Sequence, residues 1–245
     1  MKLTDLLRRR RRASPPPPPS PETPFAAIGD VHGRDDLVER LLPRLAELPL
    51  VFLGDYVDRG EHSAQVLRRL KAMCDAGGRV VCLLGNHEDM MLDFLDAPEV
   101  NAERWLRNGG LQTLSSFGVA FRDGGPSGAG FAAMRDDLRQ AMDPGMEAWL
   151  RALPTHYVNG NIAAVHAGAD PNRPVERQEP ATLLWGHPEF GRTPRRDGRW
   201  VVHGHTIHAE PTVSDRVIAI DTGAYASNIL TAAVFRADTV DFVTT

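Results

Sequence analysis

Cysteine and long apolar runs are both scarce in this chain, and each shortage excludes something. Two cysteines, Cys74 and Cys82, in 245 residues cannot build the disulfide framework of a small secreted scaffold. Cys82 sits inside the apolar run 80–84 and reads as a small core residue. No stretch approaches the roughly 18 consecutive apolar residues of a membrane span. Leu3, Leu6 and Leu7 are too few for a secretory leader and precede the arginines instead of following them. The expected location is therefore the reducing cytoplasm. Basic charge is outweighed by acidic charge outside the first 24 residues, whereas within them Lys2 and five arginines oppose Asp5 and Glu22 for a balance of +4. The whole chain is formally −4, which leaves about −8 for residues 25–245. A body that acidic lacks the positive surface that displaces counterions from nucleic acid. Only the run Arg8-Arg9-Arg10-Arg11-Arg12 offers such a contact.

That run is followed by five consecutive prolines, 15–19, which favour extended polyproline backbone and build no core. Residues 1–24 are accordingly expected to form a disordered basic and proline-rich arm, with the folded domain spanning 25–245.

Within the body, three apolar runs each end in glycine and a polar cluster. Phe25-Ala26-Ala27-Ile28 leads into Gly29-Asp30-Val31-His32-Gly33. Leu50-Val51-Phe52-Leu53 leads into Gly54-Asp55-Tyr56-Val57-Asp58-Arg59-Gly60. The run 80–84 leads into Gly85-Asn86-His87-Glu88. Short apolar runs of this kind are buried strands, and open α/β sheets bind ligands at the carboxyl ends of such strands. A single Asp-x-His would be read as a turn. Three clusters at successive strand ends are not explained that way, and their side chains are the oxygen and nitrogen donors that suit divalent ions.

Between the clusters lie amphipathic stretches at 34–47, where Pro43 should kink the helix, and at 63–76, ended by Gly77-Gly78. The order β-α-β-α-β predicts a parallel sheet. Residues 89–155 lean helical, broken by the glycine-rich segment 123–130, and are expected to shape substrate access without contributing chemistry. Strands resume at 162–165, ending in His166-Ala167-Gly168, and at 200–202, ending in His203-Gly204-His205-Thr206. Further strands are expected at 217–220, 229–235 and 240–243.

The collected donors are Asp30, His32, Asp55, Asn86, His166 and His205. Two carboxylates, an amide oxygen and three imidazoles exceed the needs of one tetrahedral zinc and suit two ions sharing a carboxylate. GDVHG at 29–33, GDYVDRG at 54–60, GNHE at 85–88, HAG at 166–168 and GHT at 204–206 resemble, in order, the motifs of the phosphoprotein phosphatase family. That family is a branch of the calcineurin-like metallophosphoesterases. The resemblance spans residues 25 to about 235 and looks nearest to bacterial serine/threonine protein phosphatases, which share the DTGA segment at 221–224.

The resemblance implies an α/β sandwich of two mixed sheets flanked by helices, holding two divalent ions. Manganese is expected, with iron, zinc or nickel as alternatives. Asp30 and His32 would bind the first ion, Asp55 would bridge, and Asn86, His166 and His205 would complete the second. A metal-activated water would attack phosphorus in line. His87 would be the general acid, oriented by Asp58. Arg59 would clamp the phosphate, together with Asn86 and a second arginine. Relatives carry that arginine near a Leu-Trp pair, but here Leu184-Trp185 precedes Gly186-His187, so Arg192 is the first substitute, ahead of Arg195 and Arg196. His203 is read as supporting the site and Glu88 as supporting a helix start.

The expected substrate is a phosphoprotein, or a small phosphate ester, dephosphorylated at serine or threonine. A dinucleoside tetraphosphate hydrolase of the same fold is the alternative. A non-catalytic phosphoprotein-binding protein ranks last, because every motif residue is present.

Overall fold

Alternation along each strand explains how two sheets come to face one another. In the computed structural model, which describes residues 17–77, 79–120 and 128–245, strand β1 (Phe25–Ile28) points Phe25 and Ala27 one way and Ala26 and Ile28 the other. The first pair joins Val51, Leu53, Leu83, Ile162, Val202 and Ile218 in a layer between the sheets. The second pair packs beneath the helices with Leu37, Leu41, Leu67 and Phe94. Strands buried on both faces must be apolar throughout, which is why they read as continuous runs.

β1 pairs in parallel with β2 (Leu50–Phe52), and β2 with β3 (Val80–Cys82). Helices α1 (Asp35–Leu41) and α2 (Ser63–Asp75) make the crossovers. The first helix ends where predicted, passing into a 3-10 turn over Leu42–Leu45 with Pro43 at its start. Then come α3 (Asn86–Asp96), α4 (Pro98–Trp105), a π turn over Leu106–Gly110, α5 (Leu111–Ser116), α6 (Gly128–Ala141) and α7 (Met146–Arg151). They form the helical insertion expected for 89–155. Most of its glycine-rich break lies outside the described residues.

The second sheet has the order β4 (His156–Asn159), β5 (Ile162–Val165), β6 (Trp200–His203), β8 (Val217–Ala219) and β7 (Thr212–Ser214). Helix α8 (Pro180–Trp185) lies in the β5–β6 connection, and the short α9 (Ala224–Ser227) follows β8. The chain then returns to the first sheet, where β9 (Thr231–Arg236) runs antiparallel to β1, and β10 (Thr239–Thr244) antiparallel to β9. Both sheets are thus mixed, with β1-β2-β3 and β5-β6-β8 as their parallel parts.

The expected arm is not loose over its described part. The Trp200 indole N–H donates to the Pro17 carbonyl (2.9 Å) and the Asn161 amide to Pro18 (2.8 Å). Ser20 exchanges hydrogen bonds with Asn161, and the Glu22 N–H donates to Asn159 (2.7 Å). Proline lacks a donor but keeps its carbonyl, and the start of β6 and the β4–β5 turn use those carbonyls as acceptors. The arginine run 8–12 lies outside the described residues. No described helix is long and apolar enough to cross a membrane. Cys74 and Cys82 are both free.

Candidate metal centre

The carboxyl ends of the parallel strands from both sheets converge. Asp30 follows β1, Asp55 follows β2, Asn86 opens α3 after β3, His166 follows β5, His205 follows β6 and Asp221 follows β8. The loops are stitched together by backbone: the His32 N–H donates to the Asp55 carbonyl (2.8 Å) and the Gly204 N–H to the His166 carbonyl (2.8 Å). Turning so many side chains inward needs unusual dihedrals. His32, Asp55, Asp58, Arg59 and His205 have φ between 44° and 71°, in the left-handed region that non-glycine residues rarely occupy. Gly54 (φ 106°) lies so close to the neighbouring loop that a Cβ there would stand 2.6 Å from the Gly85 Cα and 2.9 Å from His166 Nδ1.

Asp55 stands at the middle. Its Oδ2 faces His32 Nε2 (3.6 Å) and His87 Nε2 (3.9 Å), and its Oδ1 faces His166 Nε2 (3.3 Å). Two donor groups therefore share it: His32, Asp55 and His87 on one side, and Asp55, His166 and His205 on the other. The Asn86 Oδ1 joins the second group, 2.8 Å from both His166 Nε2 and His205 Nδ1. Asp30 accepts from the His205 N–H at 3.1 and 3.0 Å. The structure also places His87 beside His32 and Asp55.

The second ring nitrogens test whether cations fit here. His166 Nδ1 lies 2.9 Å from the Leu53 carbonyl and His32 Nδ1 lies 2.8 Å from that of Val57. A proton on each Nδ1 satisfies those carbonyls and leaves Nε2 as a lone pair. Burial holds His32 near a pKa of about 3 and also depresses His166, so a second proton is disfavoured. The His166 lone pair then faces two further acceptors, Asn86 Oδ1 and Asp55 Oδ1. Acceptors turned on one another in a buried site call for a cation, and the imidazole, carboxylate and amide set without thiolate suits a divalent one.

The carboxylates agree. Burial, with Asp221 and Asp55 close by, raises Asp30 well above the usual range. Burial alone would raise Asp55 too, but His166, His87 and His32 hold it below the ordinary value. Glu88 accepts from the backbone N–H groups of Asp55 (2.8 Å), Tyr56 (2.7 Å), Val57 (3.1 Å) and Gly85 (3.1 Å). Burial and Asp55 nevertheless push its carboxyl up to about 8. It holds the loop that presents Asp55 and begins α3, the supporting job read from the sequence.

His87 differs from the other imidazoles. Its Nδ1 lies 2.7 Å from Asp58 Oδ2, and although burial lowers its pKa, Asp55 and Asp58 together raise it above the ordinary value. Asp58, fully buried, also accepts from the Trp105 indole (3.1 and 3.0 Å) and the Thr113 hydroxyl (2.7 Å). Both donors come from the helical insertion, which therefore reaches the site directly, contrary to the expectation that it adds no chemistry. Arg59 places Nη1 3.1 Å from His32 Nε2, and its guanidinium lies 5.0 Å from the Tyr225 ring centre.

The remaining expectations divide. His203 is buried beside Gly204, its ring 5.0 Å from Phe190, and burial lowers its pKa to about 4. It belongs to neither donor group. Arg192 is exposed in the β6-leading connection, and no hydrogen bond, ion pair or ring contact joins its side chain to the described site residues. Arg195 is buried against Asp197 and the carbonyls of Asp170 and Arg173. Arginines that do flank the site come from elsewhere: Arg34, which lines a cleft with Arg59 and Tyr225, and Arg104, 4.7 Å from the Trp185 ring.

Comparison with known proteins bears on the same residues. The sequence profile of the calcineurin-like phosphoesterases matches residues 23–209. The symmetrical bis(5'-nucleosyl)-tetraphosphatase of Acidovorax ebreus is 33% identical over 157 residues, covering 61% of this chain and 45% of its own length. The asymmetrical bis(5'-nucleosyl)-tetraphosphatase PrpE of Bacillus subtilis is 28% identical over 233 residues, covering 83% of this chain and 87% of its own. The chain thus spans less than half of the first relative and most of the second. Among solved structures, one provisionally described as a diadenosine tetraphosphatase superposes with a TM-score of 0.62 at 23% identity, covering 90% of this chain and 93% of that one. A protein serine/threonine phosphatase from Saccharomyces cerevisiae superposes with a TM-score of 0.57 at 15% identity, covering 91% of this chain and 80% of its own. Both kinds share the fold, so the fold does not choose between their substrates.

Proposed function

The chain belongs to the calcineurin-like phosphoesterase family, and from that footing we propose that it hydrolyses the phosphate chain of dinucleoside polyphosphates with two divalent ions bound. The sequence alone placed phosphoproteins first. The relatives named as tetraphosphatases, one of them aligned over 83% of this chain, reverse that order.

The observation that carries the metal-dependent part is the division of Asp55, one oxygen toward each donor group. In this reading Asp30 joins His32 on the first side, and Asn86, His166 and His205 complete the second. Bound ions would supply Lewis-acid polarisation of the phosphoryl oxygens and acidify water. The chain's own residues do the rest. Arg59, with a guanidinium that can grip two oxygens at once, orients the phosphoryl group. Asn86, beside His166 and His205, can donate its amide N–H groups to a phosphate oxygen. His87 holds a proton at Nε2 for the departing oxygen, with Asp58 fixing the tautomer through Nδ1. A nucleotide leaving group already departs as a stable phosphate anion, so it needs that proton less than a serine alkoxide does.

The deciding experiment compares kcat/KM of the manganese-loaded protein on diadenosine tetraphosphate and on a phosphoserine peptide. A higher value for the dinucleotide is expected. The reverse ranking would return the protein phosphatase reading to first place.

A further inference from the structure

The largest fully buried side chains include Trp105, Tyr56, Phe25, Phe52, Phe94 and Phe235. Among the described residues two aromatic side chains are instead exposed, and both flank the metal centre. Tyr225 is 36% exposed and Trp185 is 38% exposed. The Tyr225 ring meets His32 edge-on at 5.4 Å, and the Trp185 ring lies 6.5 Å from His205. His32 belongs to one donor group and His205 to the other, with Asp55 common to both. One exposed ring therefore stands beside each end of the centre.

Each ring also carries an arginine: Arg59 at 5.0 Å from Tyr225 and Arg104 at 4.7 Å from Trp185. A π surface coupled to a guanidinium matches a nucleoside phosphate, whose base stacks while its phosphate meets positive charge. Both rings are held in place. Tyr225 sits in α9, where the Gly223 N–H donates to Asp221 (2.8 Å) and Arg34 donates to the Ala224 carbonyl (2.9 Å). Beside it opens a cleft of about 370 Å³ lined by Arg34, Asp36, Arg59, His62 and Tyr225. Trp185 closes α8, with the Arg104 guanidinium over its ring. Neither ring belongs to the hydrophobic core clusters.

We propose that Tyr225 and Trp185 are two nucleobase subsites, one at each end of the centre. This rests on the dinucleoside reading above and sharpens it: the recognised ligand is a polyphosphate with a base at both ends, and the rings select against base-free polyphosphate.

The test measures inhibition of p-nitrophenyl phosphate turnover by ADP and by pyrophosphate, together with KM for diadenosine tetraphosphate, in the manganese-loaded full chain. Stacking contributes about 1–3 kcal/mol per base, or roughly a 5- to 150-fold change in affinity. Tyr225→Ala and Trp185→Ala should each raise KM for the dinucleotide within that range with little change in kcat. Tyr225→Phe and Trp185→Phe should restore it. The double alanine variant should lose the preference for ADP over pyrophosphate. Equal weakening of ADP and pyrophosphate, unchanged KM, or failure of phenylalanine to restore would overturn the proposal. The ADP comparison does not require the dinucleotide to be a substrate. A wild-type protein that prefers ADP through these rings yet leaves diadenosine tetraphosphate intact would overturn the substrate reading alone.

Discussion

The Trp105 indole N–H donates to both oxygens of the Asp58 carboxylate, at 3.1 and 3.0 Å. Asp58 in turn holds His87 at 2.7 Å, so the orientation of the proposed acid depends on a residue in the helical insertion. Trp105 also packs its ring 4.7 Å from Phe94, which lets the two jobs be separated. Phenylalanine keeps the packing and removes the N–H.

Trp105→Phe should therefore lower kcat/KM on alkyl phosphates about tenfold, the equivalent of roughly 1.4 kcal/mol from one hydrogen bond to a charged group. His87→Asn should cost roughly 10²–10⁴ on the same esters and less on aryl phosphates, whose leaving groups need less protonation. Because Trp105 acts through Asp58 on His87, the two losses should not add. Kinetics of the double variant check this: an undiminished tenfold effect of Trp105→Phe in the His87→Asn background would mean that the indole serves something else.

Metal content should follow the sharing of Asp55. Two divalent ions per chain are expected, with manganese the best activator. His205→Ala should lose one ion and Asp55→Ala should lose both, since each oxygen of Asp55 faces a different donor group. Elemental analysis of metal-replete variants tests it, and an Asp55→Ala protein that retains one full equivalent would contradict the shared position.

The N-terminal segment should matter for stability and not for turnover. Removing residues 1–23 takes away the carbonyls of Pro17 and Pro18 and the partners of Asn159, which is 5% exposed. Losing these bonds should cost roughly 2 kcal/mol, or about 4–8 °C in Tm. The β4–β5 turn they hold lies at the opposite end of β5 from His166, so kcat should stay put. Calorimetry of a truncation after residue 23 beside one after residue 16 checks it, and equal melting temperatures for the two would contradict the role of residues 17–23.

The central site was legible because its residues stand at strand ends, where an apolar run, a glycine and a polar cluster are adjacent in sequence. Asp55, Asn86, His166 and His205 all came from that signal, and the His87–Asp58 pair came from the family resemblance. Trp105 and Thr113 carry no such mark: inside an amphipathic helix, a tryptophan that caps a carboxylate is spelled like one that fills a core. Pro17 and Pro18 misled for a physical reason, since composition registers the donor that proline lacks and not the acceptor it keeps. The edge strands β4 and β7 escaped because they are short and not apolar: Thr212–Ser214 is wholly exposed. Arg192 was chosen by nearness to Leu184-Trp185 in sequence, whereas the arginines at the site's borders are Arg34, two residues after His32, and Arg104 in α4.

The five left-handed residues at the centre have a consequence for anyone who sets out to harden this protein. Glycine at such a position relieves roughly 1 kcal/mol of backbone conflict, about 2–4 °C in a chain of this size. Arg59 and His205 are the two of the five that are not fully buried, so truncating their side chains forfeits the least packing. A library screened on heat resistance alone would be drawn toward glycine at these two codons. Its winners would be sturdy proteins stripped of the proposed phosphate grip and one proposed metal ligand, and only a turnover assay run beside the heating step would expose them.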